Sequence, residues 1–374
     1  MSGSQDRNRR ALARKYRPST LAELVGQDGL AAALTRALET GRIAQAYLFA
    51  GIRGTGKTST ARILAAGLNC EHGPTAAPCG RCAACRSISE DRHLDVQEMD
   101  AASHTSVEGI RDLLDGVPYA PVEGRWKVYV IDEVHMLSKS AFNALLKTLE
   151  EPPEHVVFVF ATTEVRKIPA TIVSRCQRFD LRRVPPDLLV KHYGDICARE
   201  GVRSEPEAMR LIAQGADGSV RDGLSILDQA IARSDGAITA EGVRDMLGLA
   251  EAAAASRVLD AVLTGNPGEA IMAVRDLTDR GADPAALLGD IMARLHDAAV
   301  AAADPTAEPD PTLSDEERQR ARDLGHQLGV RGAFEAWTRA SEGLSLVRGP
   351  DPDRALEMVL LAMSDGASGR KAAA

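Results

Sequence analysis

The stretch that decides the fold of this chain reads Gly51-Ile52-Arg53-Gly54-Thr55-Gly56-Lys57-Thr58. It fits the spacing G-x-x-x-x-G-K-[ST], which is typical of phosphate-binding loops. The apolar run Ala46–Ala50 before it predicts a strand, and Lys57–Asn69 predicts the helix that follows. In that setting the glycines let backbone N–H groups approach phosphate oxygens at the N-terminus of the helix. We therefore predict a nucleotide-binding P-loop, with a plain glycine-rich turn as the alternative.

Side chains of this loop have distinct predicted roles in binding ATP and Mg²⁺. Lys57 can reach the outer phosphates, and the hydroxyl of Thr58 can hold Mg²⁺. The predicted nucleotide-binding set covers the whole loop and extends one residue beyond it, to Ser59.

A pair of carboxylates supplies what hydrolysis needs beyond phosphate binding. Val128–Ile131 predicts a buried strand that ends at Asp132 and Glu133. Ligands of open α/β sheets bind at the carboxyl ends of the strands. We expect Asp132 to support Mg²⁺ and Glu133 to polarise the attacking water; a solvated acidic pair is the alternative. His135 follows without the spacing of a zinc protease, and we interpret it as structural.

Apolar strands alternate with helical segments through the first half of the chain. The runs Val128–Ile131 and Val156–Thr162 are almost wholly apolar, which is typical of strands buried on both faces of a parallel sheet. This alternation predicts a doubly wound α/β domain that ends near Leu181. The remaining predicted elements are the strand Asp95–Met99 and the helices Val107–Leu114 and Lys139–Leu149.

The second half predicts helices only. No strand is expected after Val184-Pro185-Pro186, and Val220–Ala232 has the pattern of a helix. Apolar residues recur at helical spacing further on, as in the stripe Leu287–Leu295. Residues 303–311 are rich in Pro, Asp and Ala and predict a linker. The predicted domains are an α/β domain (1–182), a small helical domain (183–249), a second helical domain (250–365) and a frayed tail (366–374).

Four of the six cysteines form a compact motif in an insert at about residues 70–85. Cys70, Cys79, Cys82 and Cys85 follow the spacing C-x8-C-x2-C-x2-C. Four thiolates suit tetrahedral Zn²⁺, and no water-activating carboxylate accompanies them. We therefore predict a structural zinc site, with reduced structural cysteines as the alternative. Cys176 and Cys197 are predicted to be packed thiols.

Composition argues against two classes of protein. No apolar run approaches the roughly 20 residues that span a bilayer, and no signal-peptide pattern is present. We therefore expect a cytoplasmic location and no membrane partner. The net charge of −8 argues against a generally basic nucleic-acid-binding surface. A local basic cluster at residues 7–17 fits either a nucleic-acid contact or a solvated arm.

The order of several motifs resembles that of the bacterial DNA polymerase III clamp-loader gamma/tau family, within the AAA+ ATPase class. The resemblance runs from about Leu12 to Leu249 and continues more weakly beyond. The four-cysteine insert together with Ser-Arg-Cys distinguishes this family from the many other P-loop ATPases. Besides the P-loop and the insert, the matching segments are Ala13–Pro18, Val25–Gln27, Asp132–Leu137, Ala161–Thr163, Ser174–Cys176 and Gly218–Asp222.

The resemblance implies a RecA-like AAA+ domain with a parallel sheet, then a helical lid and an all-α collar that assembles a ring. Thr163 matches a sensor beside the γ-phosphate, and Arg175 matches a finger that acts on ATP in the neighbouring subunit. Arg221 matches a second sensor, which the lid carries onto the nucleotide. A capping threonine and two surface ion pairs are the alternatives. The positions that cradle the base in the family correspond to Tyr16, Arg17, Pro18 and Val25.

The implied function is that of the ATPase subunit of a clamp loader, part of a DNA-directed DNA polymerase (transferase) holoenzyme. ATP hydrolysis would drive loading of the sliding clamp onto primer-template DNA. The implied partners are the delta and delta-prime subunits and further gamma/tau copies. Ser103–Ser106 departs from the family, because it lacks the basic residues often found at this DNA-facing position. The tail through which longer tau forms bind polymerase core and helicase is expected to be absent.

Two other functions stay open at this point. One is a different AAA+ DNA-remodelling motor, such as a branch-migration motor, against which the cysteine insert and Ser174-Arg175-Cys176 argue. The other is a non-catalytic scaffold subunit, which would be expected to have a damaged P-loop or to lack Glu133.

Overall fold

The computed structural model describes residues 11–103, 107–234, 236–247, 249–304 and 315–371. The chain forms two compact units, Met1–Thr239 and Ala240–Ala374, and each has hydrophobic core clusters of its own. Four predicted features fall wholly or partly outside the described residues: Arg7, Arg9 and Arg10 of the basic cluster, His104–Ser106 of the DNA-facing stretch, most of the linker at 303–311, and residues 372–374 of the tail.

The first unit is built on five strands: β1 (Ala46–Ala50), β2 (Val96–Asp100), β3 (Lys127–Asp132), β4 (Val156–Thr162) and β5 (Gln177–Asp180). They form one parallel sheet in the order β2-β3-β4-β1-β5. The predictions for β1 and β4 are confirmed at both ends, and those for β2 and β3 are confirmed to within one residue. The sequence does not predict β5, because this edge strand is mostly polar and exposed.

Helices lie along both faces of this sheet, which is why its central strands are apolar at every buried position. Val128 and Val157 belong to one core cluster, with Leu34 and Leu64. Tyr129, Phe158 and Phe142 belong to the other. The helices are α1 (Leu12–Lys15), α2 (Asp28–Thr40), α3 (Lys57–Asn69), α4 (Ala83–Ser89), α5 (Val107–Asp115), α6 (Lys139–Glu150) and α7 (Ala170–Val173).

The rest of the first unit is a small helical region that also contains two short strands. Its elements are α8 (Pro186–Glu200), β6 (Arg203–Ser204), α9 (Pro206–Gly215), α10 (Val220–Arg233) and β7 (Ala237–Ile238). The two strands pair in parallel, so the prediction of no strand after Val184 is wrong. Each strand has two residues, which is too few to produce a periodic pattern in the sequence.

The second unit is helical in all its described elements. Its core contains the predicted residues Leu287, Leu288, Ile291 and Leu295, so that stripe is confirmed as core. The longest helix is interrupted at Gly329, where φ is +61°. The last helix continues into the segment predicted to be frayed. The helices are α11 (Ala240–Met246), α12 (Leu249–Thr264), α13 (Pro267–Asp279), α14 (Pro284–Ala303), α15 (Asp315–Val347) and α16 (Pro352–Lys371).

Candidate functional site

The register of the parallel sheet brings the predicted motifs to one edge. Ala50, the last residue of β1, is opposite Thr162 at the end of β4. Asp100 at the end of β2 is likewise opposite Asp132 at the end of β3. The N–H group of Gly51 donates to the carbonyl of Thr162 at 3.2 Å. The P-loop and the paired carboxylates therefore begin at the same carboxyl edge, where open α/β sheets bind ligands.

The P-loop is held closely against the start of α10. Gly54 has φ of +78°, and a Cβ added there would lie 1.9 Å from the hydroxyl oxygen of Ser219. The N–H group of Arg221 donates to the carbonyl of Gly54 at 3.3 Å. This position therefore requires glycine, both for its backbone conformation and for the approach of the lid helix.

Lys57 is buried at the first position of α3. Its Nζ donates to the carbonyl oxygens of Gly51 and Ile52, each at 2.9 Å. Burial lowers the pKa of Lys57, while the nearby carboxylates of Glu133 and Asp132 partly offset this effect. The ammonium group thus stands in the mouth of the loop, where the outer phosphates of a nucleotide would be its partners.

Thr58 and Asp132 lie together, as the magnesium prediction requires. The hydroxyl of Thr58 donates to Oδ2 of Asp132 at 2.5 Å. Oδ1 of the same carboxylate accepts the N–H of Glu133 at 2.9 Å. A hydroxyl and a carboxylate oxygen are ligands that suit Mg²⁺, and their contact fits a pair that would share one cation.

Glu133 turns out of β3 in a left-handed backbone conformation, with φ of +46°. Such a conformation is uncommon for a residue other than glycine and is found at functional sites. Oε2 of Glu133 accepts the N–H of Thr163 at 3.3 Å and its hydroxyl at 3.1 Å. The predicted water-polarising carboxylate and the predicted sensor are therefore in direct contact. His135 lies beside them, 3.3 Å from Oε2 of Glu133.

A cavity of about 410 Å³ opens at this edge and is also lined by residues of α8 and α10. Lys57, Thr58, Asp132, Glu133 and Arg221 line it. The predicted base-cradling residues and the P-loop residues from Arg53 onward also line it. Those residues are Tyr16, Arg17, Pro18, Val25, Arg53, Gly54, Thr55, Gly56 and Ser59.

The base-cradling segment is joined to the lid through Glu200. The hydroxyl of Tyr16 donates to Oε1 of Glu200, and Nζ of Lys15 lies 2.7 Å from the same oxygen. Burial, then the hydrogen bond and negative charge of Glu200, raise the pKa of Tyr16 to about 12. These contacts fix one wall of the cavity.

Several lining residues are absent from the sequence prediction. Asp100 could have been found, because β2 ends beside β3 in a parallel sheet. Glu23, His192 and Leu224 belong to no recognisable motif, and only the fold brings them to the cavity. Burial lowers the pKa of His192.

Arg175 does not line this cavity. It follows α7, and its guanidinium donates to Oε1 of Glu150 and to the carbonyl of Thr171, both at 2.7 Å. The structure thus leaves Arg175 apart from the phosphate loop of its own chain, whereas Arg221 lines the cavity.

The four cysteines of the insert converge. The Sγ atoms of Cys70, Cys79, Cys82 and Cys85 all lie within 4.8 Å of one another. Sulfurs bound to Zn²⁺ at about 2.3 Å in a tetrahedron would be about 3.8 Å apart. Three of the sulfurs accept backbone N–H groups: Cys70 from Cys79, Cys79 from Cys82, and Cys82 from Cys85.

The surroundings of these sulfurs favour thiolates at some positions and oppose them at others. Burial opposes ionisation of Cys82, but N–H groups including those of Glu71 and Cys85 outweigh it and lower its pKa to about 7. Burial raises the pKa of Cys85. Four thiolates this close would repel one another without a shared cation, and the donor set and spacing fit a structural zinc site. Cys197 is buried, and burial raises the pKa of Cys176 to about 12, as expected of packed thiols.

Three families of known proteins match consecutive parts of the chain. DNA polymerase III, delta subunit, matches residues 26–185. DNA polymerase III clamp loader subunit, ATPase lid domain, matches residues 189–236. DNA polymerase III subunits gamma and tau domain III matches residues 238–371.

Individual relatives agree with these families. The chain is 42% identical over 289 residues to DNA polymerase III subunit gamma of Buchnera aphidicola subsp. Acyrthosiphon pisum, which covers 77% of this chain and 80% of that protein. The chain belongs to the DNA polymerase III gamma/tau family. It is 50% identical over 297 residues to subunit tau of Escherichia coli (strain K12), covering 79% of this chain and 46% of that protein. The chain thus spans about half the length of the tau relatives.

Family membership agrees with the predicted fold class: a RecA-like AAA+ domain, a helical lid and a C-terminal helical domain. Among solved structures, the Thermotoga maritima RuvB Holliday junction branch migration motor aligns with a TM-score of 0.48 and 18% identity, covering 66% of this chain and 79% of that one. The Bacillus subtilis DNA clamp loader delta protein aligns with a TM-score of 0.44 and 11% identity, over 90% and 99%. Across the described ranges, every helix is too short or too polar to span a bilayer.

Proposed function

We propose that this protein is the ATPase subunit of a DNA polymerase III clamp loader. The observation that carries the proposal is the junction of the P-loop with Asp132, Glu133 and Thr163 at one edge of the sheet. Membership of the gamma/tau family favours clamp loading over another AAA+ DNA-remodelling motor. A cytoplasmic location follows from the same assignment.

Within this site, each side chain has a role that its contacts support. Lys57 binds the outer phosphates, in place of the carbonyl oxygens that it contacts here. Thr58 and Asp132 hold Mg²⁺, which when bound neutralises charge on the phosphates. Glu133 orients and polarises the attacking water, and Thr163 fixes the carboxylate that does so. Tyr16, Arg17, Pro18 and Val25 form the wall for the base.

Two arginines complete the proposed site from different sides. Arg221 reaches the nucleotide from the lid of the same chain, because α10 begins against Gly54. Arg175 acts on ATP bound to a neighbouring subunit, which agrees with its absence from the cavity of its own chain. A guanidinium offers forked donors to the charge that develops on the transferred phosphoryl group. Hydrolysis would then depend on assembly of the ring.

The second unit is proposed to be the collar that builds this ring. Val330, Phe334 and Trp337 are exposed on α15, at spacings of four and three residues. These spacings place them on one face of the helix. Exposed apolar faces of this kind mark interaction surfaces. The proposed partners are delta, delta-prime and further gamma/tau chains, with the sliding clamp and primer-template DNA as the objects of the reaction.

Two further assignments complete the proposal. The four-cysteine cluster binds one structural Zn²⁺, because its four converging sulfurs supply a complete tetrahedral donor set. The chain acts within the polymerase holoenzyme by loading clamps.

The test is ATP hydrolysis by a reconstituted loader, with and without clamp and primed DNA. We expect stimulation by clamp and DNA, and loss of at least about 100-fold in kcat for Glu133→Gln. An ATPase activity that neither the clamp nor primed DNA stimulates would instead support another AAA+ motor. A loader that assembles with this chain but hydrolyses no ATP would support a scaffold subunit.

A further inference from the structure

A buried histidine joins the turn after β3 to the end of β4. The side chain of His135 is only 6% exposed, and its Nδ1 lies 2.9 Å from Oγ1 of Thr162 and 3.3 Å from Oε2 of Glu133. Its Nε2 lies 3.6 Å from Oε1 of Glu164. One edge of the ring therefore contacts both the water-polarising carboxylate and a hydroxyl on the neighbouring strand.

Thr162 provides a fixed anchor for this ring. It is fully buried, and its carbonyl accepts the N–H of Gly51, the first residue of the P-loop. Its hydroxyl oxygen also accepts the N–H of Glu164 at 3.0 Å. A hydroxyl that accepts one bond still has a donor and a second lone pair. Thr162 can thus pair with Nδ1 of His135 in either tautomer.

Glu133 needs such neighbours to keep its orientation. Its left-handed backbone is rarely adopted by residues other than glycine, and its side chain is partly exposed to the cavity. Thr163, the residue after β4, contacts Oε2, and His135 approaches the same oxygen from the turn after β3. Both contacts connect the carboxylate to the end of one buried strand.

We infer that His135 is a positioning residue for Glu133. With the proton on Nδ1, this N–H is shared between Oγ1 of Thr162 and Oε2 of Glu133, both of which accept. Thr162 is in turn bonded to Gly51 of the P-loop, so the water-polarising group and the phosphate site keep a fixed separation. Small misplacements of a reacting group reduce the rate without weakening substrate binding. The inference rests on the proposed ATPase function and deepens it. If His135 were purely structural, it would only hold the ends of β3 and β4 together, and its loss would lower the stability of the fold alone.

The experiment compares His135→Ala, His135→Gln and Thr162→Val with the wild type in the assembled loader. We expect His135→Ala to lower kcat by about 10- to 100-fold, while the affinity for a non-hydrolysable ATP analogue stays within about twofold. His135→Gln should recover part of the loss, because its amide can still bond to Thr162. The effects of His135→Ala and Thr162→Val should be less than additive, because both break the same connection.

His155→Ala is the matched control, since this exposed ring precedes β4 at the opposite edge of the sheet and contacts the carbonyl of Tyr119. It should leave kcat unchanged. Wild-type kcat for His135→Ala would overturn the inference, as would a parallel fall of kcat, analogue affinity and melting temperature. An inactive wild-type loader would overturn the proposed function and this inference together. An active wild type with an unaffected His135→Ala variant would overturn the inference alone.

Discussion

The two units of the chain differ in where they place their informative side chains. The first concentrates polar groups at the carboxyl ends of buried strands, where Lys57, Asp132, Glu133 and Thr163 meet. The second buries its apolar stripes and exposes a smaller apolar face on α15. The proposed chemistry of the first unit depends on fixed backbone positions, whereas the proposed assembly through the second depends on the shape of its surface. The proposed role of Arg175, in the first unit, depends on the proposed role of the second unit, because this arginine acts only on a neighbouring chain in an assembled ring.

The largest expected effect concerns this connection. Arg175→Ala should lower kcat of the assembled loader by a factor on the order of 10³ and leave nucleotide binding by the isolated chain intact. Rings of defined order that combine Arg175→Ala with Lys57→Ala chains provide the measurement. Activity should return only where an intact Arg175 faces an intact neighbouring P-loop. ATPase activity that does not depend on subunit order would show that Arg175 does not act on the neighbouring chain.

The role of the exposed apolar face on α15 in ring assembly can be tested separately. Phe334→Ser should weaken ring assembly by about 30-fold, the effect of losing an aromatic hot spot of about 2 kcal/mol. Analytical ultracentrifugation at several concentrations measures it. Met272→Ser is the control, because Met272 is equally exposed but lies on α13. Equal weakening by both variants would remove the special role of the face on α15.

The cysteine cluster tests whether the first unit also depends on a metal. Purified protein should contain about one zinc per chain, and Cys82→Ser should lower this ratio toward zero. Cys176→Ser should retain the metal, because Cys176 lies outside the cluster. Elemental analysis of the three proteins decides the question. A folded, metal-free wild type whose four cluster thiols all react with a thiol reagent would contradict the zinc site.

Prediction from sequence succeeded where a spacing has only one structural solution. The P-loop requires a strand before it and a helix after it, and the paired carboxylates require another parallel strand of the same sheet. Four cysteines at short spacing converge for a similar reason. The exposed face of α15 is different: Val330, Phe334 and Trp337 follow the same helical spacing as a buried stripe. Only the fold distinguishes the two.

Contacts made across the sheet were also beyond sequence reasoning. The sequence indicates a structural role for His135 because it lacks the spacing of a zinc protease. Its contact with Thr162, 27 residues away, is visible only in the fold. His192 reaches the cavity only because α8 packs in the lid. The sequence does not predict the short strands β6 and β7, because two residues are too few to show an alternating apolar pattern.

The smallest expected effect lies at the opposite edge of the sheet, where Asp95, just before β2, accepts N–H groups from the loop before β3. Burial favours the neutral form of Asp95, but N–H groups of Gly124, Val122 and Glu123 outweigh it and lower the pKa of the carboxyl. Because the folded state has the lower pKa, this group stabilises the fold above an unfolded-state pKa of about 3.9. The contribution is lost as pH falls through the folded-state pKa.

Asp95→Asn should therefore destabilise the protein at pH 7 by about 1–3 kcal/mol, because one amide oxygen cannot satisfy three N–H donors. The difference from wild type should shrink below about pH 4. Urea unfolding followed through Trp126, in a Trp337→Phe background, reports on the first unit. The exposed Asp245→Asn serves as control. If the free energies of unfolding of wild type and Asp95→Asn differ by the same amount at every pH, this account of Asp95 is wrong.

The central claim is that the carboxyl edge of the sheet is an ATP site organised around Lys57. Calorimetric titration of MgATP into the wild type, Lys57→Ala and the exposed control Lys147→Ala measures this directly. We expect wild type and Lys147→Ala to bind alike and Lys57→Ala to lose at least about 100-fold in affinity, because charge-assisted bonds to phosphate are lost. Near-normal ATP affinity of Lys57→Ala would contradict the account.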